Sequence, residues 1–160
     1  MTVNTKQVTG RRDVHFDSFD DLLADAEKLA DGECETIGNW TLGQIFEHLA
    51  RSLDASIDGT DMKIPWLMKK MFVLVMNKEK LMKNPLPPGF KIPKSGQGQF
   101  NPDPSTTTQE GLARLRAAVE RYTNENSFAE HVAFGKLSRE EWDQFNLRHA
   151  EMHLSFAVPT

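Results

Sequence analysis

Cysteine is almost absent: Cys34 is the only one in 160 residues, so no internal disulfide can brace the chain and apolar packing has to hold it. Long hydrophobic runs are missing as well. The most apolar stretch, WLMKKMFVLVM from Trp66 to Met76, is broken by Lys69 and Lys70. It falls short of the roughly 20 residues that cross a bilayer, which argues against a membrane-spanning helix or a membrane partner. Positive charge is not in excess. Nineteen basic residues face 23 acidic ones, and a net charge of −4 gives no sign of the Lys and Arg clusters that release counterions from nucleic acid. The opening MTVNTKQVTGRRD lacks the apolar segment of a secretory signal, so the cytoplasm is the expected location. No internal repeat is visible, and no strand pair carries a hairpin turn signal. What is present is 39% hydrophobic residues, enough for one core, and residues 1–160 are expected to form a single domain.

The hydrophobic pattern is helical. In SFDDLLADAEKLA, Ser18 can accept from the free N–H groups of a first turn, Asp20 and Asp21 suit a positive helix N-terminus, and Gly32 lies just past the end. This predicts a helix from Phe19 to about Ala30. A second follows in NWTLGQIFEHLARSLDASIDG, where Leu42, Ile45, Leu49, Leu53 and Ile57 recur at three- and four-residue spacing, between a Thr41 or Asn39 cap and a Gly59 stop. The third runs through Leu112, Leu115, Ala118, Val119 and Tyr122, with Gly111 a mild weakening of its first turn. The fourth, LSREEWDQFNLRHAEMHLSFAV, opens with Ser138 and Glu141 at capping-box spacing. The fold class is all-α, with four helices able to form a bundle.

Between the second and third helices lies a long insertion, residues 62–105. Its first half, Met62 to Lys83, is rich in Met and Lys and suits an extra core helix, a lid over a pocket, or a basic helix on a membrane surface. Its second half, NPLPPGFKIPKSGQGQFNPDPST, is dense in Pro and Gly and is expected to be irregular. The SGQGQF within it lacks the lysine and following helix of a phosphate loop.

His149 and His153 sit four residues apart in the fourth helix. At about 3.6 residues per turn they lie one above the other, with Trp142, Phe145, Met152 and Phe156 on the same side. An imidazole on an apolar face needs a partner, and a metal ion, which binds the neutral ring, supplies one. His48 lies on the flank of the Ile45, Leu49 and Leu53 stripe, where the second helix can face the fourth. Three such nitrogens leave coordination positions for water or substrate, the pattern of a catalytic metal rather than a structural one. The alternative is three histidines hydrogen-bonded within the core, with no metal. Glu47 and Glu151 adjoin the candidate ligands but point about 100° and about 200° away, and are expected to be solvated surface charge or at most acceptors behind the ligands. His15 and His131 fall in connections and read as surface or capping groups. Cys34 lies in DGECET, where Glu33 and Glu35 would raise its thiol pKa, so it makes a poor nucleophile.

Three stretches resemble the DinB/YfiT-like superfamily. NWTLGQIFEHLA is similar to its second-helix signature, in which a Trp opens the helix and a His follows within about two turns. GKLSREEWDQFNLRHAEMHLSF is similar to its last helix, which carries an HxxxH pair, and RRDVHFDSFDDLLADAEKLA to its first. The likeness is closest to an uncharacterised bacterial branch, a domain of unknown function. The resemblance implies an up-up-down-down four-helix bundle, metal-ligand status for His48, His149 and His153, and a divalent zinc, nickel or iron ion. It also implies transfer or isomerisation of an electrophilic small molecule on a low-molecular-weight thiol of the bacillithiol, mycothiol or glutathione type, and pairing into a homodimer. Against this stand a bundle that holds a small ligand or metal without turnover, and a dimerisation module whose histidines serve only the core.

Overall fold

Four helices of 13–17 residues each begin on the same device, a hydroxyl side chain that accepts from the third helical N–H while the acidic or amide side chain there reaches back to the cap. In the computed structural model, which describes residues 2–67, 69–70 and 78–160, these are α1 (Phe19–Asp31, Ser18 with Asp21) and α2 (Leu42–Asp58, Thr41 with Gln44). Two shorter helices follow, α3 (Lys78–Lys83) and α4 (Lys94–Phe100). The other two long ones are α5 (Thr108–Asn124, Thr107 with Glu110) and α6 (Arg139–Leu154, Ser138 with Glu141). Among the described residues the chain is therefore mostly helical, with one two-stranded sheet, β1 (Cys34–Thr36) and β2 (Ala157–Pro159). Gly59 ends α2 at φ +85°, a backbone shape that favours glycine.

The long helices share one core. Leu22, Ala26 and Leu29 of α1, Ile45, Phe46, Leu49 and Leu53 of α2, Leu112, Leu115 and Tyr122 of α5, and Trp142, Leu147 and Leu154 of α6 are all buried in it. The most extensive packing is between α2 and α5, and it depends on the absence of side chains. A Cβ on Gly43 would stand 2.5 Å from the Thr107 carbonyl oxygen, and one on Gly111 would collide with the Gly43 carbonyl. Gly111 is thus more than a weakened turn: it lets two backbones meet.

The directions of the helices follow from which ends touch. Gly43 meets Thr107 and Gly111 at the start of both α2 and α5, and Arg121 near the end of α5 pairs with Asp58 at 2.7 Å, so these two helices run parallel. Phe19 packs on Tyr122 at 4.9 Å, setting α1 antiparallel to α5. His48 meets His149, and Ser56 meets Asn146, setting α6 antiparallel to α2. The order is up-down-down-up and not the expected up-up-down-down. A parallel pair needs a long crossover, and the segment from 59 to 107 supplies it.

Other expectations are also revised. β1 and β2 pair antiparallel, Cys34 opposite Pro159 and Thr36 opposite Ala157, although no hairpin signal exists. The strands come from opposite ends of the chain, so no turn joins them. The Pro- and Gly-rich half of the insertion, expected to be irregular, contains α4. Its propensity is poor and it has no side-chain cap, but Gln99 bridges to the Thr60 hydroxyl and to the Gly59 carbonyl, and Arg51 donates to the carbonyls of Gly98 and Gln99. In the first half, residues 68 and 71–77 lie outside the described residues, and with them the middle of the segment read as core helix, lid or membrane-surface helix. Trp66 and Leu67 just before are exposed, while Met82 of α3 is buried and Lys78 pairs with Glu141 of α6 at 2.6 Å. No helix among the described residues is long and apolar enough to cross a membrane.

Candidate metal centre

Two turns into α2, His48 is buried at 4% exposure, and the antiparallel course of α6 brings His149 and His153, both half-buried, against it. The three rings turn their Nε2 atoms toward one another. His48 Nε2 lies 3.3 Å from His149 Nε2, which lies 3.0 Å from His153 Nε2, and one ligand atom from each ring falls within 4.8 Å of the others. The trio expected from the sequence is brought together, and it could hold a metal ion.

Two neighbours fix the cluster. The Nδ1 of His48 is 2.8 Å from the Phe100 carbonyl, which can only accept, so Nδ1 carries the proton and Nε2 presents a lone pair. Trp40 lies stacked on His153 at 5.4 Å and tilted against His48 at 4.7 Å, covering two of the three rings. In the sequence Trp40 marks only the opening of the second helix, and the Phe100 contact comes from a backbone atom of the insertion, which has no side-chain signature.

Glu47 was expected at the surface and is buried. It holds the segment that carries Phe100: its Oε1 accepts from Arg51 Nε at 2.9 Å, and its Oε2 accepts from the Asp103 N–H at 2.9 Å and from the Thr106 hydroxyl. Burial pulls its pKa up, but the bonds from Thr106, Arg51 and Asp103 outweigh it and leave the carboxyl below its ordinary range. Glu151, also expected at the surface, is 1% exposed. It faces away from the histidines, toward Arg148 at 2.8 Å and the Phe16 N–H at 2.7 Å. Both carboxylates are buried because a basic partner stands one turn away in the same helix, Arg51 for Glu47 and Arg148 for Glu151.

Burial dominates the protonation of the trio. It pushes His48 down to about 4, against the Phe100 bond and with help from Arg51. His149 falls to about 3 through burial and the neighbouring His48 and His131, and His153 falls well below its usual value through burial, His48, His149 and Arg11. All three rings are neutral at pH 7, the state in which imidazole binds a metal.

His15 and His131 stay outside the cluster. His15 is exposed and reaches Asp17 and Glu151, both at 3.2 Å. Of the two roles expected for His131, surface group or cap, the structure gives it the second, in a half-buried setting. It packs among Phe134, Trp142 and Phe145, accepts from the N–H groups of Ala133 and Phe134 at 3.1 Å, and is separated from His149 by the Phe145 ring. Cys34 sits in β1, half-buried. Its thiol is pushed up as expected, but by burial first, opposed by Arg12 and assisted by Asp25, and not by Glu33 and Glu35.

Fold and site together define a mostly helical protein with a three-histidine cluster, one ring buried and two half-buried. Its sequence places it further. The model of the family described as "Protein of unknown function (DUF1569)" matches residues 8–160, and the chain belongs to that family. No curated protein and no solved structure matches it.

Proposed function

We propose that the chain is a metal-binding protein related to the DinB/YfiT-like superfamily, its four long helices one bundle in a single domain, with a zinc, nickel or iron ion on His48, His149 and His153. The supporting observation is the proton count at the three Nε2 atoms. His48 presents a lone pair there, and the single Nε2 of His149 makes both close contacts. If His149 donates to His48, its contact with His153 has no proton of its own; if it accepts from His153, it faces His48 lone pair to lone pair. A cation satisfies all three nitrogens at once. Their 3.0 and 3.3 Å separations suit it, since metal–nitrogen bonds of about 2.0–2.1 Å in a tetrahedral site set nitrogens about 3.3 Å apart.

The reading extends to a metal-dependent transfer or isomerisation that uses a low-molecular-weight thiol. An ion on three neutral imidazoles keeps its full charge and acidifies a thiol or water in an open position. The chain's own residues hold that position. Phe100 fixes the His48 tautomer, Trp40 shields His48 and His153 from water, and the half-buried His149 and His153 leave an approach. Cys34, with its raised pKa and its place in β1, offers no thiolate, so the thiol arrives as a cosubstrate beside an electrophilic small molecule.

Elemental analysis of untagged protein tests the metal. Near-stoichiometric metal in the wild type that is lost in both His48→Ala and His149→Ala is expected. Absence of metal after reconstitution with Zn²⁺ and Ni²⁺ would make these core histidines.

A further inference from the structure

We propose that Arg11 is the anion-recognising group of this centre and that the thiol it takes carries a carboxylate, an inference that rests on the metal reading above. Charge bookkeeping leads there. Three neutral imidazoles bring no negative charge to a divalent ion, and of the cations that bear on them, Arg51 on His48 is paired with Glu47 at 2.6 Å while Arg11 on His153 is paired with no carboxylate among the described residues. The carboxylates next to the ligands in sequence are committed elsewhere, Glu47 to Arg51, Asp103 and Thr106, and Glu151 to Arg148 and Phe16. A single thiolate would leave positive charge in a partly dry site. A second anionic group on the same ligand answers it.

Arg11 is built to receive that group. Its guanidinium lies 4.6 Å over the Phe156 ring, and its Nε donates to the Ser155 hydroxyl at 2.9 Å, so the planar fork is held in place. Its two Nη groups have no hydrogen-bond or ion-pair partner among the described residues. Arg12 next to it differs: both of its Nη groups clamp Asp25, at 2.9 and 2.7 Å, and one also reaches the Leu154 carbonyl. Arg11 also stands at the ligand end of α6. Phe156, under its guanidinium, donates its N–H to the His153 carbonyl at 3.2 Å and packs against Gly38, two residues before the Trp40 that covers His153. A planar fork whose Nη edge is open matches a carboxylate in a way that a lone ammonium would not.

Cobalt(II)-loaded full-length protein gives a readout independent of turnover, the thiolate-to-cobalt charge-transfer band, titrated with 3-mercaptopropionate and with 2-mercaptoethanol. The wild type should bind the mercaptocarboxylate about tenfold more tightly, the scale of one charge-assisted hydrogen-bonded pair. Arg11→Gln should abolish that preference while leaving cobalt content and 2-mercaptoethanol affinity unchanged, and Arg11→Lys should keep part of it. Equal wild-type affinity for the two thiols, or a preference that survives Arg11→Gln, would overturn the role of Arg11 while leaving the metal reading intact. Wild-type protein that retains no cobalt would overturn the metal reading and this inference together. Should Arg11→Gln melt below assay temperature, the wild-type ratio and Arg11→Lys decide the matter.

Discussion

The helix α6 has two buried faces that handle polarity in opposite ways. One carries Arg148 and Glu151, charged and paired at 2.8 Å, which between them hold both backbone polar groups of one residue: Glu151 accepts from the Phe16 N–H and Arg148 donates to the Phe16 carbonyl. The other carries His149 and His153, neutral and crowded against His48, their pKa values lowered by burial and by neighbouring histidines, with Arg11 adding to the effect on His153. The first face compensates its charges within the chain and fastens the segment entering α1. The second leaves its nitrogens facing one another, an arrangement that could hold a metal ion.

The largest expected effect lies on the closed face. Glu151→Ala leaves the Arg148 guanidinium, 7% exposed, without its counter-charge, and should cost about 3–5 kcal/mol in urea denaturation at pH 7. A loss below about 1 kcal/mol would show that the pair does not organise that face, since ordinary surface substitutions stay within such a range. On the open face the effect should come from outside. With zinc at about a hundred times its dissociation constant, adding a chelator should lower wild-type stability by about 3 kcal/mol and leave His149→Ala unmoved. An identical shift in both proteins would place the metal elsewhere.

A smaller test uses His131, a neutral histidine behind Phe145 that is not one of the three candidate ligands. Burial, with the help of Lys69, depresses its pKa from 6.5 to about 4 in the folded chain. The unfolded state therefore binds the proton first, and the stabilisation is whole above pH 6.5 and is lost as pH falls toward 4. His131→Asn, which retains an acceptor for the N–H groups of Ala133 and Phe134, should flatten the stability profile across that window by on the order of 2 kcal/mol. Urea midpoints at pH 7, 5.5 and 4 with chelator present measure it, and parallel profiles for the two proteins would refute it.

The parts of this molecule that were readable in the sequence are those written locally. Ser18, Thr41 and Ser138 cap the helices assigned to them, because a cap and its N–H partner lie three residues apart. The His149 and His153 pair was equally local, and the side of α2 on which His48 lies followed from its stripe. What escaped depends on distant chain. The Phe100 carbonyl has no side-chain signature, α4 is held by Arg51 and by the bridges of Gln99, and the sheet joins residues near 35 to residues near 158. The reversal of helix directions follows from how the insertion crosses the molecule. The burial of Glu47 and Glu151 is a different kind of miss. Arg51 at i+4 and Arg148 at i−3 were visible signals that both carboxylates could leave water with a partner.

The glycine contact between α2 and α5 bears on how tolerant the centre is to sequence drift. Side-chain cores have play in them, because rotamers shift to absorb a lost or added methylene. Where Gly43 and Gly111 meet there is no rotamer to move, only peptide against peptide. His48 stands five residues further along α2, about 7.5 Å of helix, from that fixed point. The contact fixes where α2 stands against α5, and with α2 the place of the candidate ligand His48; a methyl group at either glycine would force those two backbones apart, with no side chain free to turn aside.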